Sequence, residues 1–355
     1  MVCLKKRVFR MEHEVKQKQE LLNDQGMIAE PGWARSPVWN YNRKNIKAPW
    51  FRRKEWDYYL ITTDTYAFAF TISDLGYAGL ISASFIDLKN VKEETKTMIQ
   101  PLTLGKKYGL GASSDDGFAS VKTKEVSMRF HKEGSKRTIK CRWKNFFDGK
   151  DLSAKIELYQ PQMQSMCIAT PWLEKKTAFY YNEKINCMST KGKVTIGDRE
   201  YIMNQESSFA VLDWGRGVWT YDNTWYWGTG SGLLDGISFG FNLGYGFSDR
   251  SSASENTLFY NHKVHKLEGV TFVIPKDEKG NNLYTKTWKI ESSDGRFEGV
   301  FEPILDRNAD INLKVIISNQ HQVFGRMNAN VILDDGTLLT VKDFLCALEV
   351  VHNRY

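Results

Sequence analysis

Asp213 and Arg216 stand three residues apart around Gly215, inside the run "LDWGRGVWTYDNTWYWGTGSG" at 212–232. A tight turn there would join carboxylate and guanidinium in a charge-assisted pair. Two readings are open: an ionisable pair at a cavity mouth, with Asp213 serving as acid or base, or a structural pair that locks the turn. Trp219, Tyr221, Trp225 and Trp227 follow, spaced by two at each end of the row, and on a strand residues two apart share a face. A cup lined this way would take an extended apolar or polyene-like ligand, with indole N–H and phenol O–H groups fixing its polar ends. The plain alternative is core packing between sheets. Glu255 and Asn256 form a second polar pair, set between apolar runs, which needs partners if it is buried. The candidate acids are therefore Asp213 and Glu255. The candidate ligand contacts are Arg216, Trp219, Tyr221, Trp225, Trp227, Asn242, Tyr245, Asn256 and His265.

Other chemistries find less support. "TGSGLLDG" at 229–236 lacks the Gly-Lys-Ser/Thr ending of a phosphate loop, and its glycines fall where strand is expected. His262 and His265 would face opposite ways on one strand, so no metal site is expected. There is no Gly-x-Ser-x-Gly elbow. "KAPWFRRKEWDYY" at 47–59 interleaves basic and aromatic residues as a base-stacking surface does. Its match to the later tryptophan pair favours a structural origin, so no nucleic-acid partner is expected.

These residues need a scaffold, and the pattern is β. With 355 residues, 41% hydrophobic, 26% charged and 13% aromatic, the chain suits one large soluble domain or two medium ones. Residues 8–24 are mostly good helix formers followed by Asn-Asp-Gln-Gly, and predict a short N-terminal helix. From Trp56 onward come short apolar runs such as "YAFAFTI", "GISFGFNLGYGF" and "INLKVIIS", and Asp335-Gly336 marks a hairpin. Alternating β and α segments are missing, which disfavours parallel α/β folds. Trp50 and Trp56 recur 169 residues on as Trp219 and Trp225, and "DLGYAG" at 74 recurs as "NLGYGF" at 242. This spacing predicts a duplication into two antiparallel β units, each curled into a barrel or tight sandwich. The expected boundaries are a helical segment 1–26, a first unit 27–204 and a second unit 205–355.

Five cysteines without a C-x-x-C pair, no signal-like apolar run and no stretch of ~18 apolar residues point to a cytoplasmic chain with no integral membrane segment. The net charge of +7 has its basic clusters at Lys5–Arg10 and Arg43–Lys54. These read as solvated faces, with transient contact to a membrane surface as the alternative.

The segments "LLNDQGMIAEPGWARSPVWNYNR", "FYYNEKINCM", "LDWGRGVWTYDNTWYWGTGSG" and "GFNLGYGFSDRSSASENTLFYNHKVHKL" resemble the family called domain of unknown function 2804, nearly throughout the chain after residue 20. The one departure lies near His262; His265 and Lys266 stay in pattern. That family carries no known activity, so it assigns no catalytic residue. At the level of fold it is similar to tandem lipocalin-like proteins of the carotenoid 1,2-hydratase type, which implies two tandem lipocalin-like barrels. The combined expectation is a protein that binds a hydrophobic small molecule, lipid or isoprenoid-like, without a cofactor. The alternatives are a cofactor-independent hydratase, isomerase or cyclase acting on such a ligand, and a structural or stress-related protein with no such site. Under hydratase chemistry Asp213 would be the acid, and a tryptophan wall would stabilise the developing cation.

Overall fold

Period-two burial builds this molecule. In the strand Val126–Glu133, Val126, Met128 and Phe130 are buried while the residues between them are exposed, and its partner Lys136–Phe147 does the same with Ile139, Cys141 and Trp143. Such strands must curl around a core that only one face can reach. The computed structural model describes residues 12–115, 118–312 and 317–354. Cys3 and the Lys5–Arg10 cluster lie outside them.

Two antiparallel sheets result, each curled into a half-barrel, and together they make two tandem lipocalin-like units. In the first, Arg53–Thr62 pairs with Tyr66–Asp74 on one side and with Phe209–Val218, the unit's last strand, on the other. In the second, Asp222–Leu234 likewise pairs with Ile237–Tyr245 and with the last strand, Leu338–Arg354. The tryptophan repeat marks this equivalence. Trp50 and Trp219 each precede the opening strand, and Trp56 and Trp225 are each its fourth residue.

Two expectations differ from what is found. The segment predicted as helix is extended from residue 12 on: Val15 N donates to Trp33 O, and Gln19–Glu20 runs parallel to Trp39–Asn40. Burial of Val15, Leu21 and Leu22 in the first core overrides their helix propensity; residues 8–11 lie outside the described ones. The Asp-Trp-Gly-Arg-Gly run, expected in a second unit starting at 205, is an inner strand of the first sheet, and the second sheet opens at Asp222. The expected curled antiparallel units are present as half-barrels with edge strands. The edge strand Lys92–Pro101 is blunted by charge (Lys92, Glu93, Glu94, Lys96).

One face of the long strand Phe179–Ile196 makes part of the contact between the two sheets. A bulge between Ile185 and Met188 turns Asn186 outward, and its amide donates to Gly230 O (3.2 Å) and Phe241 O (3.1 Å) of the second sheet. Below this contact Leu60, Ala69, Leu305, Phe324 and Ala347 close the seam with apolar packing.

Candidate functional site

Three neighbouring strands of the first sheet carry polar side chains on the face that meets the second. In register, Tyr58 lies opposite Asp213, and Asp213 opposite Lys184. Asn182 and Tyr180 continue the row at spacing two. The Lys184 ammonium, 2% exposed, sits 2.8 Å from Asp213 Oδ1 and 3.6 Å from Glu255 Oε2 of the second unit. It also lies 4.9 Å over the ring of Trp227. Asn182 Nδ2 donates to Asp213 Oδ1 at 2.6 Å, and the Tyr180 hydroxyl donates to Glu255 Oε2 at 3.0 Å. Asn182 Oδ1 is buried and has no hydrogen-bond partner among the described residues.

The second unit is built to hold Glu255 at this point. Asn242 accepts from Trp227 Nε1 (2.8 Å) and donates to Glu255 O (2.9 Å), while Asn256 Oδ1 accepts from Gly244 N (2.8 Å). A Cβ at Gly244 would fall 1.8 Å from Glu255 Oε1, so glycine is required for the carboxylate to lie against that strand. Deeper along the seam, Glu349 accepts from Trp225 Nε1 (2.9 Å) and from Gln322 Nε2 (3.0 Å), and Gln322 reaches the Tyr58 hydroxyl at 3.2 Å.

Two carboxyls thus share one ammonium, and a third, Glu349, lies farther along the seam. Burial pushes the Glu255 carboxyl above the ordinary carboxylate range, against the pull of Lys184, and the charge of Asp213 adds to the push. Burial raises Glu349 likewise, against the indole N–H of Trp225. It also drives the Tyr58 phenol up to about 12 and the Tyr180 phenol well above its usual value. The single ammonium between Asp213 and Glu255 offsets part of the cost of burying these carboxyls. Chemically the cluster places two carboxyl groups on either side of one ammonium, an arrangement suited to proton transfer.

Aromatic rings flank the cluster. Trp56 lies flat over Gly215, where a Cβ would come 2.1 Å from its ring. Trp56, Tyr58, Asp213 and Trp225 keep part of their surface exposed at the seam. Trp219 closes one end, packing on Trp56, Trp172, Tyr180, Trp225 and Phe247 with centroids 5.3–6.0 Å away. It is a filled cluster.

Of the residues singled out in the sequence, Asp213, Glu255, Trp227, Asn242 and Asn256 meet here, with Trp219 and Trp225 beside them. Four do not. Arg216 is on the opposite face of its strand, because spacing three inverts direction on a pleat. The proposed Asp213–Arg216 pair does not form. Arg216 is fully buried inside the first unit, where it stacks on Trp214 (4.1 Å), bonds Asp57 Oδ1 (3.0 Å) and donates to Gly111 O (3.0 Å). Tyr221 is on the turn between the sheets, 41% exposed, so the aromatic row is not one strand face. Tyr245 faces the second unit's own core, stacked on Tyr226 at 4.5 Å. His265 accepts from Asp334 N through Nδ1 at 3.2 Å, away from the seam.

Lys184, Tyr180, Asn182 and Glu349 were missed. The signal was present in "FYYNEKINCM", where Tyr180, Asn182, Lys184 and Asn186 put a polar group at every second position of an aromatic and apolar run. An open pocket of about 550 Å³ lies elsewhere, at the end of the first unit, lined by Glu20, Asn40, Tyr41, Arg43 and Leu110 among others. Its arginine is already paired with Glu55.

Comparisons with known proteins extend over the whole architecture. The solved structure of a Nitrosomonas europaea protein designated AttH is similar with a TM-score of 0.53 at 12% identity, over 90% of this chain and 98% of that one. CghA is similar with a TM-score of 0.52 at 10% identity, over 95% and 97%. Kievitone hydratase from Nectria haematococca reaches 0.49 at 12% identity, over 90% and 96%. At these identities the first two likenesses speak for the fold. No curated protein matches the chain in sequence. The sequence pattern of one family matches residues 12–355.

Proposed function

We propose a function for a chain that belongs to the family described as Domain of unknown function (DUF2804): it binds an apolar small molecule, lipid or isoprenoid-like, at the seam between its two units and carries out proton-transfer chemistry on it. The observation that supports this reading is the position of Lys184 between Asp213 and Glu255, buried where two aromatic-rich sheets meet. A merely structural seam would be more stable with apolar residues in place of an ion pair. Asp213 keeps 15% of its side-chain surface, which makes it the ionisable member that a ligand can reach. Glu255, whose carboxyl burial raises above the ordinary range, lies behind Lys184 and Tyr180 as a second acid. The rings of Trp56 and Trp225 would bound the ligand and face any positive charge that develops on it. Asn182 Oδ1 would accept from a polar end group.

The test has two parts. Protein purified from its own host is extracted with organic solvent and analysed by mass spectrometry, and tryptophan fluorescence is titrated with a panel of polyene and isoprenoid lipids. Saturable quenching that weakens at least about tenfold in Trp225→Ala is expected, a loss of roughly 1.4 kcal/mol. Asp213→Asn should bind the same ligand without turning it over. If nothing apolar co-purifies and fluorescence ignores the whole panel, the reading fails.

A further inference from the structure

One end of the first unit exposes apolar side chains at its loop tips. Trp50 and Phe51 make a single 3-10 turn ahead of Arg53–Thr62, each 43% exposed. Leu102 and Leu104 stand on the loop after Lys92–Pro101, 62% and 43% exposed. Leu104 N donates to Gly76 O, Gly76 lies directly beneath the Trp50 carbonyl, and Trp50 and Leu104 border one narrow cleft. On the other side the Arg52 guanidinium lies over Phe51 (5.7 Å) and over the exposed Tyr221 (5.4 Å). Tyr221, Phe51, Trp50, Leu104 and Leu102 therefore form one stripe.

Two features show that this stripe is not incidental. Leu102 and Leu104 adopt φ of 51° and 54°, the left-handed region that side chains with a Cβ avoid. Exposure and backbone both work against the isolated chain at these two leucines, a pattern found where a segment is kept for contact. Charge is the second feature. Residues 41–54 hold six basic residues and 101–114 hold two, with no acid in either segment. Arg43 is paired with Glu55, and Asp74 borders the same cleft, so the free positive charge here rests on the exposed lysines. Lys44 and Lys47, just before Trp50 in sequence, and Lys106 and Lys107, just after Leu104, are exposed.

The geometry points to docking of this end on an anionic lipid bilayer. Projecting tryptophan, phenylalanine and leucine side chains with exposed lysines close by in sequence suit the interface, with rings at the headgroup level and lysines on the phosphates. Trp50 and Phe51 pack edge to face, at 89°, rather than as parallel platforms for nucleic-acid bases. The site is independent of ligand binding at the seam, although Trp219 N donates to Arg52 O (3.1 Å) and so ties the two together.

The test is co-sedimentation of the full chain with vesicles of phosphatidylcholine alone or with about 30% phosphatidylserine, at low and at about 0.5 M salt. Binding is expected to need the anionic lipid and to fall with salt. At about fivefold per basic residue, Lys47→Glu/Lys106→Glu/Lys107→Glu should lose at least about a hundredfold. Trp50→Ser/Phe51→Ser should lose about tenfold or more. Leu338→Ser, equally exposed on the second unit, is the control and should bind as the parent does. Asp213→Asn should also bind vesicles normally, which separates this result from the fate of the seam. Three results would overturn the proposal: no binding to anionic vesicles at low salt, binding that the patch variants leave unchanged, or retention of a single-stranded oligonucleotide without vesicle binding.

Discussion

Lys184 and Asp213 face each other on neighbouring strands, ammonium to carboxylate at 2.8 Å, and the same ammonium reaches across the seam to Glu255 at 3.6 Å. The lysine is thus a tie between two units that no disulfide or covalent link other than the 219–221 turn holds together among the described residues.

That tie should be visible in stability. Lys184→Met leaves two carboxyls facing an apolar side chain and is expected to cost about 3 kcal/mol. Asp213→Asn alone should cost less, since the ammonium keeps Glu255. In a double-mutant cycle by urea unfolding the pair should couple by more than about 1 kcal/mol. Strict additivity would show that the contact contributes nothing.

Arg216 is expected to behave as a structural residue of the first unit. Its guanidinium serves Asp57 and the carbonyls of Trp56, Gly111 and Gly215, a set that one ammonium cannot reach. Arg216→Lys should therefore destabilise by about 2–3 kcal/mol in thermal melts. Because the side chain lies on the face opposite Asp213, ligand titrations of the folded variant should match the parent. A selective loss of ligand affinity would contradict that placement.

Gly244 and Glu255 should show mutual dependence. Gly244→Ala drives a methyl group into the carboxylate and should cost about 1–3 kcal/mol. Glu255→Ala removes the obstructing atoms, so the double variant should be less destabilised than the sum of the singles. If the alanine is equally harmful with and without Glu255, the clash is not its cause.

Stability should also follow pH through Glu255. Its folded pKa lies above the unfolded value of 4.5, so the folded state binds the proton more tightly. Its contribution is full below about pH 4.5 and is lost as pH rises through the folded value. Glu255→Gln keeps an acceptor for Tyr180 but cannot ionise. Between pH 4.5 and 8 its melting temperature should decline less steeply than the parent's. Parallel curves would place the titrating group elsewhere, Glu349 being next.

Much of the fold was legible because the chain repeats itself. The two tryptophans six residues apart, twice, mark the opening strand of each unit, and the Leu-Gly-Tyr copies mark the ends of the strands paired to them. The site was legible only in part, because it is assembled across units. Asp213 and Glu255 were found as polar residues in apolar surroundings, but Lys184 between them requires knowing that Phe179–Ile196 pairs with Phe209–Val218. The error at Arg216 has a simple cause. A turn was assumed where an uninterrupted strand runs, and a strand sends the third residue the other way. The N-terminal helix failed for a different reason, since local propensity lost to a core made of distant residues.

Each unit's opening strand pairs with its last, Arg53 with Val218 and Asp222 with Arg354. Neither sheet can be completed until its final strand has left the ribosome, so both units fold late and through contacts of long sequence separation. The first is complete in sequence at residue 218, before any of the second is made. During that interval Lys184 already has Asp213 but not Glu255, and the aromatic face meant for the second sheet stands open to solvent. Synthesis therefore passes through a half-finished molecule that is sticky on one side, a state for which chaperone protection would be most needed.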